Sequence, residues 1–263
     1  MIPSTMAWSK AVKKFISSLI PPAFWLGVWQ LTALCVDRSV NGRGNELLLP
    51  YPNTVAQSLL TLVVDPVFFQ TVFASLGRIM MGLVSGALLG AVLAALTSYS
   101  RVAYQLLSPA IRVIRATPVA SFILLVLLWT GKDYVPVVIA ALMVIPVVWG
   151  NLSRGIQETD RQLLELARAY RFSRWKTVRL VYLPSLRPYF ISAITTATGL
   201  AWKSGVAAEV LCVPNFAVGT QIFNTKYYLE IPDLFAWTAV VVTLSLLLEK
   251  LLHSLLGQQK GGV

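Results

Sequence analysis

Residues 165–184, E-L-A-R-A-Y-R-F-S-R-W-K-T-V-R-L-V-Y-L-P, constrain this chain more than any other stretch, being basic, helix-forming and flanked by segments greasy enough to cross a bilayer. Each charge in the hydrocarbon layer costs about 3 kcal/mol on insertion scales, so the stretch is expected to stand folded on one membrane face. A folded, charged element there is a docking surface. Just upstream, Thr159 followed by Gln162 reads as a capping box that opens a helix near Asp160. Leu163, Leu164, Ala167 and Tyr170 form its apolar face, with Arg161, Glu165 and Arg168 elsewhere. Ser173 is placed to cap a second short helix bearing Trp175, Val178 and Val181, and Pro184 introduces the next hydrophobic stretch. Anionic lipid could cover such a surface, but the acid-marked Glu165–Ala167 turn favours a protein partner.

Of the 263 residues, 56% are hydrophobic and 13% charged, against about 25% charge in a soluble domain. The reading is an all-α, polytopic membrane bundle. Its net charge of +11 follows the positive-inside rule, with Lys and Arg gathered between spans, and does not point to nucleic acid. Cys35 and Cys212 lie in apolar stretches without metal-ligand spacing and read as small core residues. No A-x-A-like cleavage site follows the first apolar stretch, so a retained span is expected.

A crossing takes about 20 mostly apolar residues. Six segments are candidates: 15–36, 71–98, 104–131, 134–151, 187–212 and 234–256, within a single transmembrane domain over 1–263. The third holds Pro109, Arg112, Arg115 and Pro118 and is expected as one kinked helix, since each proline removes a backbone hydrogen bond. Lys10, Lys13 and Lys14 place the N-terminus in the cytoplasm. Residues 151–187 hold eight basic side chains against Glu158, Asp160 and Glu165, which makes 159–184 a cytoplasmic segment. Both termini, the second bearing Lys250 and Lys260, are then cytoplasmic. Residues 37–70 remain outside, with L-L-P-Y-P at 48–52 and a short amphipathic helix over 54–64 that Asn53 or Thr54 could cap. They form either an interfacial connector or a partner-contacting surface.

Gly82, Gly86 and Gly90 recur every four residues and line one helix face, where small residues let two backbones approach in lipid. That contact could lie within one subunit or between two. Arg78, one step earlier on the stripe, either belongs to it or snorkels to the interface. The fifth span carries Thr195, Thr196, Thr198, Lys203 and Glu209. Lys203 shares a face with Thr195, Thr196 and Gly199, and Glu209 one with Thr198, Trp202 and Gly205. At about 100° per residue the two charges need not pair with each other, so a polar path and structural pairing with other helices are both open. Nothing resembles an enzyme site: His253 is the only histidine and reads as interfacial, and no phosphate-binding glycine loop or nucleophile–base pair is present.

The insert resembles the cytoplasmic signature of the membrane-spanning permease subunits of bacterial ABC importers: E-A-A, three residues, G, nine residues, I-x-L-P. Glu165-Leu166-Ala167 stands for the first element and Val181-Tyr182-Leu183-Pro184 for the last. Leu166 departs from the first alanine, and Arg171 from the glycine. If the left-handed turn is kept there, arginine costs about 1 kcal/mol. The stretches at 48–52, 75–82 and 201–211 look like the nitrate/taurine/alkanesulfonate branch.

The resemblance implies a type I importer fold, a bacterial inner-membrane location, a second copy of the chain, two cytoplasmic ATPase subunits that bind ATP and Mg, and an extracytoplasmic substrate-binding protein, with lipid around the bundle. It implies no cofactor in this chain. Leu164, Glu165, Ala167, Arg168 and Tyr170 would then dock the ATPase, and Arg115, Thr195, Thr198 and Lys203 would line the path of a small polar or anionic solute. A nucleotide-independent carrier or channel would instead show inverted repeats, of which there is no convincing sign. A membrane scaffold is a further rival, and co-purification of an ATPase separates all three.

Overall fold

The computed structural model describes residues 5–257, without the side chains of 5–19, 253 and 255–257. The expectations placed on Lys10, Lys13, Lys14, His253 and Lys260 therefore lie outside the described residues. Every regular element among those described is helical: α1 (Thr5–Ser39), α2 (Gly44–Leu47), α3 (Pro52–Val64), α4 (Pro66–Tyr99), α5 (Arg101–Ala116), α6 (Val119–Trp129), α7 (Val135–Gln157), α8 (Arg161–Ala169), α9 (Arg174–Thr177), a π turn (Val178–Tyr182), α10 (Leu183–Cys212), α11 (Val218–Tyr227) and α12 (Ile231–Gly257). By length and apolarity α4, α7 and the part Ile231–Leu252 of α12 can each cross a membrane, and α5 with α6 make a fourth crossing if taken together. The all-α, multi-pass architecture is as expected.

The chain divides into two compact units. In the first, residues up to Pro66 with 224–239, a hydrogen-bonded hub forms around Asp37. Its carboxylate accepts from Asn45 N at 3.1 Å and from the Tyr51 hydroxyl at 2.9 Å, while Asn45 Oδ1 accepts from Tyr51 N at 2.7 Å. Donating to Asp37 raises the Tyr51 phenol above its ordinary pKa, because ionisation would give up that bond. Trp29 Nε1 donates to Pro50 O at 3.0 Å, and its ring stacks on Phe235. α3 starts at Pro52, with Tyr51 as its N-cap. Neither Asn53 nor Thr54 caps it; proline needs no N–H at the first helical position, so the helix begins earlier than a polar cap would set it. Thr54 Oγ1 instead donates back to Tyr51 O.

The second unit, 67–223 with the remainder of α12, is built on small residues. The Gly82–Gly86–Gly90 face of α4 lies on α7 so closely that an added Cβ would come within 2.5 Å of Val137 O, 2.7 Å of Ala141 O and 2.9 Å of Val148 Cβ. The stripe therefore packs helices within one chain. Ala140, Val144, Val148 and Leu152 of α7 continue the same four-residue spacing, as do Ala193, Ala197 and Ala201 of α10, and all are buried in one core with Ile79 and Trp202. Gly205 extends the α10 row against Ile79.

Residues 104–131 do not form one kinked helix. α5 and α6 meet at 110° across Thr117 and Pro118. Pro118 restricts Thr117 to extended backbone, observed at φ −79°, ψ 134°, whereas Pro109 sits inside α5 without breaking it. The turn before α10 is wide for a related reason. Pro184 cannot donate to the Leu180 carbonyl, and its ring crowds that carbonyl, so the helix opens into the π turn and Leu183 N reaches Val178 O.

Gly86→Leu is expected to lower stability by at least about 1–3 kcal/mol, as overpacking does, seen as a lower melting temperature of the detergent-purified chain. Gly77→Leu, on the same helix but facing open space, is the control and should melt like the parent. Equal melting of the two variants would contradict the α4–α7 contact.

Candidate functional site

Three places concentrate polar chemistry in the second unit. The first is a buried tether at the C-terminal end of α10. Glu209 is 0% exposed; its Oε2 accepts from Ser75 Oγ at 2.8 Å and from Gly219 N at 3.1 Å, and Oε1 pairs with Arg78 Nη1 at 3.4 Å. Ser75 Oγ in turn accepts from Val218 N, and Arg78 donates to the carbonyls of Phe216 and Asn215. Asn215 N also donates to Asp133. A buried carboxylate is tolerated only when its lone pairs are matched in this way. The loop after α10, with Val213 and Phe216 at positive φ, is thereby pinned to α4. Arg78 does not snorkel, and Glu209 pairs with another helix.

The second place is the opposite face of α10. Thr195, Thr196, Gly199, Lys203, Glu249 and Lys250 border a cavity of about 680 Å³. A second cavity, of about 510 Å³, lies between α5, α7 and α10, bordered by Arg115, Asn151, Arg154 and Thr196. Thr196 and Leu200 border both. Arg115, Thr195 and Lys203 thus fall on two adjoining cavities. Thr198 does not: it is 1% exposed, and its hydroxyl donates to Ile194 O at 2.9 Å. A threonine can satisfy itself on its own helix and sit in the core, so its polarity was no guide to a path.

The third place is the segment after α7. Asp160, not Thr159, is the N-cap of α8, accepting from Gln162 N at 2.8 Å, while buried Thr159 donates to Gly155 O at 2.9 Å and fastens the end of α7. Adjacent Thr and Asp both fit a capping pattern, and only the backbone decides between them. α8 seats against the π turn, where Val181 is buried. Its inward residues are Ala167, 3% exposed, and half-buried Leu164. The outward apolar row is Leu163, Leu166 and Tyr170, the last two 53% and 71% exposed, beside exposed Glu165 and Arg168. Ala167 is therefore part of the seat and not of an outward docking face.

α8 ends as the spacing of the signature requires. Arg171 is left-handed at φ 50°, Phe172 N donates to Ala167 O and Arg171 N to Arg168 O, both at 2.9 Å. These are the paired bonds of a Schellman ending, so the glycine-type turn is kept despite the arginine. Ser173 caps α9 as expected, accepting from Lys176 N.

Residues 86–257 match the family described as binding-protein-dependent transport system inner membrane component. The chain belongs to that family. Among its relatives are a nitrate import permease protein, NrtB, of Leptolyngbya laminosa, 29% identical over 77% of this chain and 72% of the relative, and the taurine transport system permease protein TauC of Escherichia coli, 26% identical over 80% and 78%. A crystal structure titled as an amino acid ABC transporter with histidines overlays with a TM-score of 0.62 at 18% identity, covering 76% of this chain and 95% of that one. The inner membrane component is thus a multi-pass transport permease, and the fold is that of an ABC importer permease.

In this inner membrane component, residues that the sequence had not assigned to a site complete the second and third places. Arg154 joins Arg115 at one cavity, Glu249 joins Lys203 at the other, and Leu166 replaces Ala167 on the outward face of α8. Arg154 was visible only as one of the basic side chains of 151–187, with nothing to say which helix it faced. Arg171→Gly should relieve about 1 kcal/mol of left-handed strain, raising hydrogen-exchange protection of the amides at 171 and 172 about fivefold. Unchanged or lower protection would contradict the Schellman ending.

Proposed function

We propose that the chain is the membrane-spanning subunit of an ATP-driven importer for a small polar or anionic solute, working as two copies with two cytoplasmic ATPase subunits and an extracytoplasmic binding protein. The observation that carries this reading is α8: a short helix capped at both ends, seated by Ala167, with Leu163, Leu166 and Tyr170 left uncovered around Glu165. Such a rigid apolar row with one acid fits a cleft on a soluble partner, and the family supports an ATPase as that partner. Spans 15–36, 71–98, 104–131, 134–151, 187–212 and 234–256, the third broken at Pro118, put both termini and α8 on the cytoplasmic side, in line with the basic side chains of 151–187. Nucleotide-driven closure of the ATPases would move α8 and, through the end of α7 and the π turn, the packed helices as rigid bodies.

The path runs along the α10 face that carries Thr195, Thr196 and Lys203, with Arg115 at its cytoplasmic end. The names of relatives that import nitrate and taurine support an anionic cargo. Two variants separate docking from passage. Glu165→Lys is expected to leave the chain inserted and folded but to abolish co-purification with the ATPase, and with it coupled ATP hydrolysis. Lys203→Met is expected to retain the ATPase yet lower uptake at least about tenfold. Normal co-purification and uptake by Glu165→Lys would overturn the docking assignment, and full uptake by an assembled Lys203→Met would remove Lys203 from the path.

A further inference from the structure

The cytoplasmic-end cavity has a composition that packing does not require. Arg115 reaches it from α5 and Arg154 from α7, while Ile114, Pro146 and Leu200 supply apolar walls. Neither guanidinium has a hydrogen-bond or ion-pair partner among the described residues. By contrast, Arg112 on the same helix as Arg115 is spent on Ser108, and Glu158, one turn beyond Arg154, accepts from the Tyr189 hydroxyl at 2.5 Å. No lining residue of this cavity is acidic, whereas the adjoining one sets Glu249 beside Lys203 and Lys250. Asn151 Nδ2 and the Thr196 hydroxyl already donate to Val147 O and Ser192 O, which leaves the two arginines, with the second amide hydrogen of Asn151, as the donors available to a ligand. The positive-inside bias alone would scatter such charges singly, as with Arg174, Lys176 and Arg179; Arg115 and Arg154 are exposed as well, but on the border of one cavity. Here they converge on one hollow from two helices.

We propose that this cavity binds a small oxyanion, gripped between the Arg115 and Arg154 guanidinium groups, with a short alkyl portion against Ile114, Pro146 and Leu200. Planar, always-charged guanidinium forks match the oxygens of a sulfonate, nitrate or phosphate group. Thr196, shared by both cavities, lies two turns of α10 from Lys203, about 10 Å at 1.5 Å per residue. An anion leaving Lys203 would therefore meet the arginine pair next on its way to the cytoplasm. This assignment rests on the reading of the α10 face as the path and adds to it a charge-selective exit subsite. A transported oxyanion and the phosphate of an anionic lipid share the required chemistry, and the experiment distinguishes them.

Thr196→Cys is introduced into the full chain with Cys35→Ser and Cys212→Ala, in nanodiscs of phosphatidylcholine. Its modification is timed with an anionic sulfonatoethyl and a cationic trimethylammonioethyl methanethiosulfonate, each of which forms a disulfide and releases methanesulfinate. The ratio of anionic to cationic rates is expected to fall about tenfold in Arg115→Gln/Arg154→Gln and to be kept in Arg115→Lys/Arg154→Lys. Millimolar methanesulfonate should slow the reaction of the arginine-bearing protein. This protection is a readout that does not depend on the glutamine variant folding. A ratio indifferent to the arginines, or no protection by methanesulfonate, overturns the proposal. Protection only in phosphatidylglycerol discs assigns the cavity to a lipid headgroup and overturns the exit subsite. Because the assay needs neither uptake nor an ATPase, a charge-selective cavity in a chain that recruits no ATPase would sink the importer reading while leaving the oxyanion site standing.

Discussion

Between lipid-bathed helices there is no hydrophobic driving force, since lipid tails are as apolar as leucine, so association rests on how closely backbones can meet. In this chain that approach is made by small residues spaced four apart: Gly82, Gly86 and Gly90 on α4, Ala140 on α7, and Ala193, Ala197, Ala201 and Gly205 on α10. The three helices they join position everything else in the second unit. At one end, α7 runs on past Gly155, which has Tyr189 and Leu186 of α10 pressed against it, and so sets where α8 emerges. At the other, Arg78 and Ser75 of α4 hold Glu209 of α10 and the loop that follows.

The same packing divides the chemistry of α10 between two faces. Trp202, Gly205 and Glu209 turn inward, where Glu209 is matched by a hydroxyl, a backbone N–H and a guanidinium. Thr195, Thr196 and Lys203 turn outward onto cavities. A charge that is fully paired fixes structure, and one left beside a cavity is available to a solute. Removing one partner of the inner group would strand the other, at a cost of about 3–5 kcal/mol in measured buried pairs. The outer group has no such obligation, and this asymmetry is why function is assigned to it.

Much of this was legible from local pattern. The glycine row, the two faces of α10 and the Ser173 cap each follow from spacing within about two helical turns, whereas the left-handed turn at Arg171 was implied only by the resemblance to the importer signature. What escaped depends on distant partners or on near-equivalent local choices. Arg78 and Glu209 are 131 residues apart, and nothing in either neighbourhood names the other. On α8, two apolar rows lie side by side, Leu164 with Ala167 and Leu163 with Leu166; periodicity defines both but not which one the π turn covers. Thr198 resembles its polar neighbours in sequence, yet its hydroxyl is satisfied within its own helix. The break at Pro118 was visible as a proline, but its 110° angle is set by what α5 and α6 pack against.

The central claim is that the outward row of α8 is where a nucleotide-hydrolysing partner grips the membrane subunit. Photo-cross-linking from single benzoylphenylalanine residues in native membranes tests it most directly. Positions 163, 166 and 170 are expected to cross-link to one soluble ATP-binding protein, identified by mass spectrometry, while position 167, whose side chain is seated against its own chain, is expected to give no cross-link to that protein. Cross-links from 163, 166 and 170 to lipid alone, or an equally strong adduct from 167, would contradict the account.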